Sequence, residues 1–355
     1  MRFSLNRLVL ALGLLFFSIS LNSFSQAKNV ILMIGDGMGL AHAYSAYTMN
    51  NDSLNIFTMP ITGLVRTACS DRLITDSGAG GTAFAIGQKA PYEAIGLDSL
   101  FKPHPSIMKL AKENGLSTSI IVSCDITHAT PASFIANVKH RKMNEEIALA
   151  YLDSDIDIVI GGGLKNFLPN NRKDKLDLRD NLINQGYNFI YSKDSLEFIK
   201  DKTFALLYDS HPPKAKLRDN MLERGLERTI EVLSKKDKGF FIMLEGSQID
   251  FESHTHSFES MIDEVLDFDR AVKVALEFAK RDGNTLVIVI ADHETGGLTM
   301  VEGDNNKGKF KDKWSTFNHT ATMVPVYAFG KGSENFTGVM ENTDVFYKIK
   351  RILDL

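Results

Sequence analysis

Cysteine is nearly absent from this 355-residue chain, with only Cys69 and Cys124 present. Neither stands at metal-ligand spacing, which excludes a Cys-based zinc site and a disulfide framework. One Cys69–Cys124 bridge is chemically allowed, two buried free thiols are the other reading, and spacing does not choose between them. An excess of one charge is also missing: 40 Lys and Arg stand against 44 Asp and Glu, for a formal net charge of −4, with the signs interspersed. That excludes the basic stripe of a nucleic-acid binder or of a protein held on an acidic membrane, and leaves a dissolved small molecule as the natural partner. No internal repeat, low-complexity tract or Pro/Ser-rich linker divides the chain.

Long apolar runs are missing as well. The run Leu8 to Phe17 falls short of the roughly 20 residues that span a bilayer. Preceded by Arg2 and Arg7 and followed by Ser23-Phe24-Ser25, it reads as a secretory signal peptide over residues 1–25, which places the mature protein in the periplasm or outside the cell. Residues 26–355 then form a single domain, long enough to bury a substantial core.

What is present is a series of short runs rich in Val, Ile, Leu and Phe: Val30–Ile34, Ser119–Val122, Ile156–Ile160, Phe240–Leu244, Leu286–Ile290 and Val324–Phe329. Most lack polar alternation and read as strands buried on both faces. Between them lie amphipathic helical stretches, Ile107–Lys112, Leu217–Leu233 and Met261–Ala279, the last with Val265, Phe268, Val272, Ala275 and Phe278 on one stripe. Strands alternating with helices predict an α/β three-layer sandwich, a large mostly parallel central sheet covered by helices on both faces. The charged stretch Asn170 to Asp180 reads as a solvated loop. The polar segment 295–318, which carries the single tryptophan Trp314, reads as a small lid.

The unusual residues fall just past strand ends: Asp36 after Val30–Ile34, Glu245 after Phe240–Leu244, and Asp292-His293 after Leu286–Ile290. In open α/β sheets ligands bind at that edge. Asp250 and His254 stand one helical turn apart and can converge on one ion, and His319 adds a further imidazole. In Thr75-Asp76-Ser77-Gly78-Ala79-Gly80-Gly81, Ser or Asp can cap a helix. Three glycines in four positions point to something approaching that backbone closely, and a phosphate at the helix N-terminus would fit. A serine hydroxyl needs a base or a metal to become a nucleophile, and the carboxylate and imidazole groups at the same edge favour the metal.

Taken together, Asp36 in Ile34-Gly35-Asp36-Gly37-Met38-Gly39, Ser77 in Thr75-Asp76-Ser77, His128-Ala129-Thr130-Pro131, Arg141, Glu245-Gly246, Asp250 to His254, Ala291-Asp292-His293-Glu294 and His319-Thr320 resemble the alkaline phosphatase family, in family order over nearly the whole mature chain. The resemblance implies two zinc ions, one on Asp250, His254 and His319 and one on Asp36, Asp292 and His293 with Ser77 as exchangeable ligand. It also implies a magnesium ion on Asp36, Thr130 and Glu245. His256 lies close to His254, but the family places its histidine four residues after the aspartate. Arg141 would grip the non-bridging phosphate oxygens, although on its own the run Lys139-His140-Arg141-Lys142 reads as a solvated basic patch. The implied activity is hydrolysis of phosphate monoesters through a phosphoserine on Ser77, rising on the alkaline side.

Two positions near the implied site vary in the family. His128 stands where some members have Asp, and an imidazole there favours zinc over magnesium in the third site. Phe251 follows Asp250 where Lys, His or Trp occurs, and it can neither hydrogen-bond a phosphate-bound water nor carry charge, so phosphate should be held less tightly. The short stretch from His293 to His319 leaves room for a modest lid only, and a homodimer stays open. The competing functions are phosphodiester, phosphonate or sulfate ester hydrolysis on the same scaffold and, in another class, a non-catalytic periplasmic phosphate- or metal-binding protein.

Overall fold

The computed structural model describes residues 26–304 and 309–355. The expected leader, residues 1–25, lies outside the described residues, as do residues 305–308 of the expected lid. In chain order the strands are β1 Asn29–Gly35, β2 Ile61–Arg66, β3 Ser117–Asp125, β4 Ile158–Gly162, β5 Asn188–Ile190, β6 Thr203–Leu206, β7 Phe240–Gly246, β8 Thr285–Ile290, β9 Glu294–Thr295, β10 Thr299–Asp304, β11 Lys309–Lys313, β12 His319–Thr320, β13 Val324–Gly330 and β14 Gly338–Glu341. Ten of them form one sheet in the order β14-β2-β13-β8-β1-β7-β3-β4-β6-β5.

The continuous apolar runs occupy the middle of this sheet. Every residue of β1, β3, β4, β7 and β8 is buried, as expected for parallel strands covered on both faces. One group of helices, Leu40–Met49, Met221–Leu233 and Phe258–Asp282, packs together, and a second group, Ser77–Ile86, Ile107–Glu113, Ala129–Ser133 and Asn342–Ile352, packs separately, giving the three layers. On Phe258–Asp282, Val265, Phe268, Val272 and Ala275 are fully buried and Phe278 partly so.

β13 runs antiparallel to both β8 and β2. Between β8 and β13 the chain makes only short hairpins at the carboxyl edge, with no crossover helix to carry it back to the other edge, so it re-enters the sheet in reverse.

Two expectations are corrected. The helix expected over Leu217–Leu233 is split into Ala215–Arg218 and Met221–Leu233 by Asp219 and Asn220, both at φ 53°. The break turns Arg218 inward, where it is fully buried and bonded to Asp267 (Nε 2.9 Å, Nη2 2.8 Å) and Glu264; a buried guanidinium needs such partners. The stretch Asn170 to Asp180 is not simply solvated. Arg172 is 2% exposed, pairs with Asp174 and donates to the carbonyls of Glu145 and Asn166, and Asp177 caps a helix over Leu178–Asn184.

Candidate active site

The four central neighbours β8, β1, β7 and β3 end side by side. Ile34 of β1 pairs with Glu245 of β7 and Ile290 of β8, so Glu245 lies at that level and Asp36 and Asp292 each lie two residues beyond it. His128 and Thr130 follow β3 at the start of the helix Ala129–Ser133. Asp36, Thr130, Glu245, Asp292 and His293 are all 0% exposed, a concentration of buried polar groups that needs compensation.

Gly37 makes the turn after Asp36 possible. At φ 68° its N–H donates to Asp292 Oδ1 at 3.2 Å, while a Cβ there would meet Asp250 Oδ1 at 2.9 Å. Only glycine satisfies both conditions.

Ser77 is the first residue of the helix Ser77–Ile86, and Asp76 is its cap, accepting from Gly78 N at 3.0 Å and Ala79 N at 3.2 Å. Of the two residues offered as cap by the sequence, the aspartate takes the role and leaves the serine hydroxyl free. Ser77 Oγ lies 3.4 and 3.5 Å from the Asp36 carboxylate oxygens and 3.3 Å from His293 Nε2. The glycines of this helix have a different reason from the phosphate approach read in the sequence. A Cβ on Gly80 would sit 3.0 Å from the Asp292 carbonyl, and one on Gly81 3.0 Å from Ser133 Oγ. The helix is thus pressed against the Asp292 loop and the helix carrying Thr130, and it is the protein's own chain that comes close.

Three histidines converge with one tautomer. His254 Nδ1 donates to the Phe317 carbonyl (2.6 Å), His319 Nδ1 to the Thr75 carbonyl (2.8 Å), and His293 Nδ1 to Thr295 Oγ1 (3.2 Å), whose own proton goes to Asp250. Each Nδ1 thereby carries the proton and each Nε2 presents a lone pair. His254 Nε2 and His319 Nε2 face one another at 3.1 Å, with Asp250 Oδ1 at 3.3 and 3.6 Å. His293 Nε2 faces Asp36 Oδ1 at 3.3 Å and Asp292 Oδ2 at 3.6 Å. Lone pairs and carboxylates set against one another at such distances repel unless a cation lies between them. In both sets the three donor atoms lie within 4.8 Å of one another, so these residues fit divalent ions.

The electrostatics agree. Burial, then Asp292 and Asp250, push the Asp36 carboxyl well above its usual range; burial and Asp250 push Asp292 up to about 8; burial pushes Glu245 up to about 7. Without cations the cluster must keep protons, because so many buried carboxylates cannot ionise together. Among the described residues Asp292 Oδ2, Glu245 Oε1 and the Thr130 hydroxyl find no hydrogen-bond partner within bonding geometry, and Thr130 and Asp36 both approach the Glu245 carboxyl.

Arg141 is not part of a solvated patch. Its Nη1 donates to Asp76 Oδ2 at 2.8 Å and its Nη2 to His128 Nε2 at 3.2 Å. Phe251 sets its ring edge-on to His128 (centroids 5.4 Å) and to His211 (5.2 Å). His256 stands apart: its Nε2 donates to the Thr316 carbonyl at 2.8 Å and its ring lies between Trp314 and Phe317. Both cysteines are free and buried, and Cys124 Sγ lies 3.6 Å from Glu245 Oε2. The sequence reading missed three features of this neighbourhood: the hold of Asp76 on Arg141, Thr295 between two ligand candidates, and His211. Asp76 carried a signal, since it precedes a glycine-rich helix start; Thr295 and His211 carried none.

Two buried sets of carboxylate and imidazole donors that fit divalent ions, gathered beside a serine at a helix N-terminus, define the class as a metal-dependent hydrolase of phosphate esters. Comparison with known proteins narrows it. The family model described as Alkaline phosphatase matches residues 27–313. Alkaline phosphatase 4 of Bacillus subtilis (strain 168) is 34% identical over 93% of this chain and 89% of its own. The solved alkaline phosphatase from the Antarctic bacterium TAB5 is 39% identical, covers 93% of this chain and 99% of its own, and superposes with a TM-score of 0.87. A histidine-to-aspartate variant of the TAB5 enzyme, described with Mg bound in its M3 site, is 38% identical over 94% of this chain and 99% of its own, with a TM-score of 0.88. The chain belongs to the alkaline phosphatase family, whose members are metal-dependent phosphomonoester hydrolases.

Proposed function

We propose that the chain hydrolyses phosphate monoesters through a phosphoserine on Ser77. In this reading Asp250, His254 and His319 hold one zinc, Asp36, Asp292 and His293 a second, and Asp36, Thr130 and Glu245 a magnesium ion. When bound, the zinc ions supply Lewis acidity that lowers the serine pKa and neutralises charge on the phosphoryl oxygens. The protein's own groups do the rest. Ser77 Oγ forms the bond to phosphorus as the ester oxygen departs, and water later cleaves the phosphoserine to release phosphate. Arg141, held from one side by Asp76, offers its guanidinium to the non-bridging oxygens, which favours a terminal phosphate over a diester. The helix beginning at Ser77 adds its positive dipole end.

The third site is best read as an oxygen site. While Arg141 donates to His128 Nε2, the His128 proton sits on Nδ1 and the ring has no lone pair to offer. Burial and Glu245 push the Cys124 thiol well up, so it stays protonated as a donor to that carboxylate. Thr130, Glu245 and Asp36 remain, a hard oxygen set suited to magnesium. Segment 295–318, a β10–β11 hairpin followed by Trp314, serves in this reading as the small lid, and the leader marks the protein for export to the periplasm or beyond.

The observation that carries the proposal is the shared tautomer of His254, His293 and His319, each with its bare Nε2 aimed at a carboxylate. The test is hydrolysis of p-nitrophenyl phosphate at alkaline pH by protein stripped with EDTA and then reloaded with zinc and magnesium, beside Ser77→Ala. Turnover should vanish on stripping, return on reloading and fall at least about a thousandfold in Ser77→Ala. Turnover indifferent to both would overturn the mechanism.

A further inference from the structure

Next to the ion cluster, and sharing Arg141 and His128 with it, lies a cavity of about 400 Å³ between the loops that follow β3, β4 and β6. The reaction as proposed uses nothing else on its wall. Two ammonium groups border it, those of Lys142 and Lys165. Among the described residues neither has a carboxylate within ion-pair distance, and Lys165 Nζ has only the Ser210 hydroxyl at 3.1 Å. The two carboxylates on the same wall keep their charge but turn their oxygens to other donors. Asp125 Oδ1 accepts from the N–H and hydroxyl of Thr127, both at 2.9 Å, and its Oδ2 from Asn166 at 2.7 Å. Glu93 pairs with His140 at 2.9 Å.

His211 adds a neutral donor. Its Nδ1 accepts the Asp125 N–H at 3.1 Å, so the ring proton sits on Nε2, for which no acceptor is found among the described residues. The cavity therefore presents two lysines that no carboxylate engages among the described residues and an imidazole N–H, beside the arginine that holds the reacting phosphate. Complementarity asks for an anion there.

We propose that this cavity is a second-anion subsite, and that the preferred substrates are phosphate monoesters whose leaving group carries a further phosphate or carboxylate, bound by Lys142, Lys165 and His211. The inference rests on the reading that the reacting phosphate sits at Arg141.

Matched substrate pairs test it: 3-phosphoglycerate against glycerol phosphate for a carboxylate, and fructose 1,6-bisphosphate against fructose 6-phosphate for a second phosphate. In the wild-type holoenzyme kcat/KM should favour the doubly anionic member of at least one pair by about tenfold, and the pair that shows it identifies the anion. Lys142→Gln combined with Lys165→Gln should erase the preference while leaving glycerol phosphate turnover unchanged, and the two Lys→Arg changes should restore it. Added salt should shrink the preference. Calorimetric binding of the same four compounds to metal-loaded Ser77→Ala protein, with and without the lysine changes, reads the subsite without turnover. A wild-type enzyme that turns over glycerol phosphate but shows no preference in either pair overturns the subsite and leaves the phosphatase reading standing. If turnover is absent or independent of Ser77, the phosphatase reading fails, and the binding difference alone decides the subsite.

Discussion

Arg141 and Asp76 are joined at 2.8 Å through Nη1 and Oδ2, and the same Asp76 carboxylate caps the helix that begins with Ser77. One buried carboxylate, 1% exposed, therefore sets the position of both Ser77, the proposed nucleophile, and Arg141, the arginine proposed to hold the phosphate. It ties together two residues 64 positions apart in the chain.

Asp76→Asn separates these duties. An amide oxygen still caps the helix, but the arginine loses its anionic partner. The expected outcome is a modest loss of stability and a rise of about tenfold in KM and in the phosphate inhibition constant, with a smaller change in kcat. Asp76→Ala removes the cap as well and should cost a further ~1 kcal/mol in unfolding free energy. Steady-state kinetics and thermal melts check both, and an unchanged KM in Asp76→Asn would show that Arg141 needs no anchor.

Stability of the metal-free protein should fall as pH rises from about 6.5 to about 8; below that window the histidines that burial keeps neutral, His42, His128 and His293, work in the opposite direction. Burial and neighbouring carboxylates raise Asp36, raise Asp292 to about 8, and burial raises Glu245 to about 7. The folded protein thus keeps protons that the unfolded chain has released, and the stabilisation present below the unfolded pKa is lost as pH climbs through the folded values. Bound divalent ions replace those protons, so the loaded protein should not show the loss. Melts at about pH 6.5 and about pH 8.5, with and without EDTA, measure the difference. A stripped protein that melts higher at the alkaline pH would contradict the assignment.

Phe251 places a hydrocarbon edge against His128 and His211, where a lysine would bring a charge toward the phosphate. Wild-type protein should bind inorganic phosphate with an inhibition constant above the low-micromolar range. Phe251→Lys should lower that constant by about tenfold and slow product release. Product inhibition and burst-phase kinetics report the two effects separately.

Gly80→Ala should weaken metal binding although it improves helix propensity by about 1 kcal/mol. The new methyl would sit 3.0 Å from the Asp292 carbonyl, which the end of β8 holds in place, so the ligand loop must shift. Competition with a chelator should show zinc affinity lowered by at least about tenfold, the scale on which disturbed ligand support is felt. Unaltered affinity would mean that the loop can yield.

The central sheet was legible because β1, β3, β4, β7 and β8 are buried on both faces, and continuous apolar runs mark such strands directly. The strands β2, β5, β6 and β14 were not identified: they are short, two of them have exposed positions, and their sequences do not differ from loops over so few residues. The break after Arg218 and the burial of Arg172 could not be read either, since each depends on carboxylates or carbonyls distant in the chain.

By itself the sequence determined the layered α/β fold, the edge at which chemistry collects, and the residue types suited to divalent ions. Those follow from local periodicity, from the rule that strands end at a common edge, and from motifs short enough to survive without context. Only the tertiary structure decided which nitrogen of each histidine is bare, that Asp76 rather than Ser77 caps the helix, that Gly80 and Gly81 admit neighbouring parts of the chain, and that Lys142 and Lys165 border a cavity with no carboxylate in ion-pair distance among the described residues. Each of these depends on contacts between segments far apart in the chain, and periodicity carries no information about such contacts.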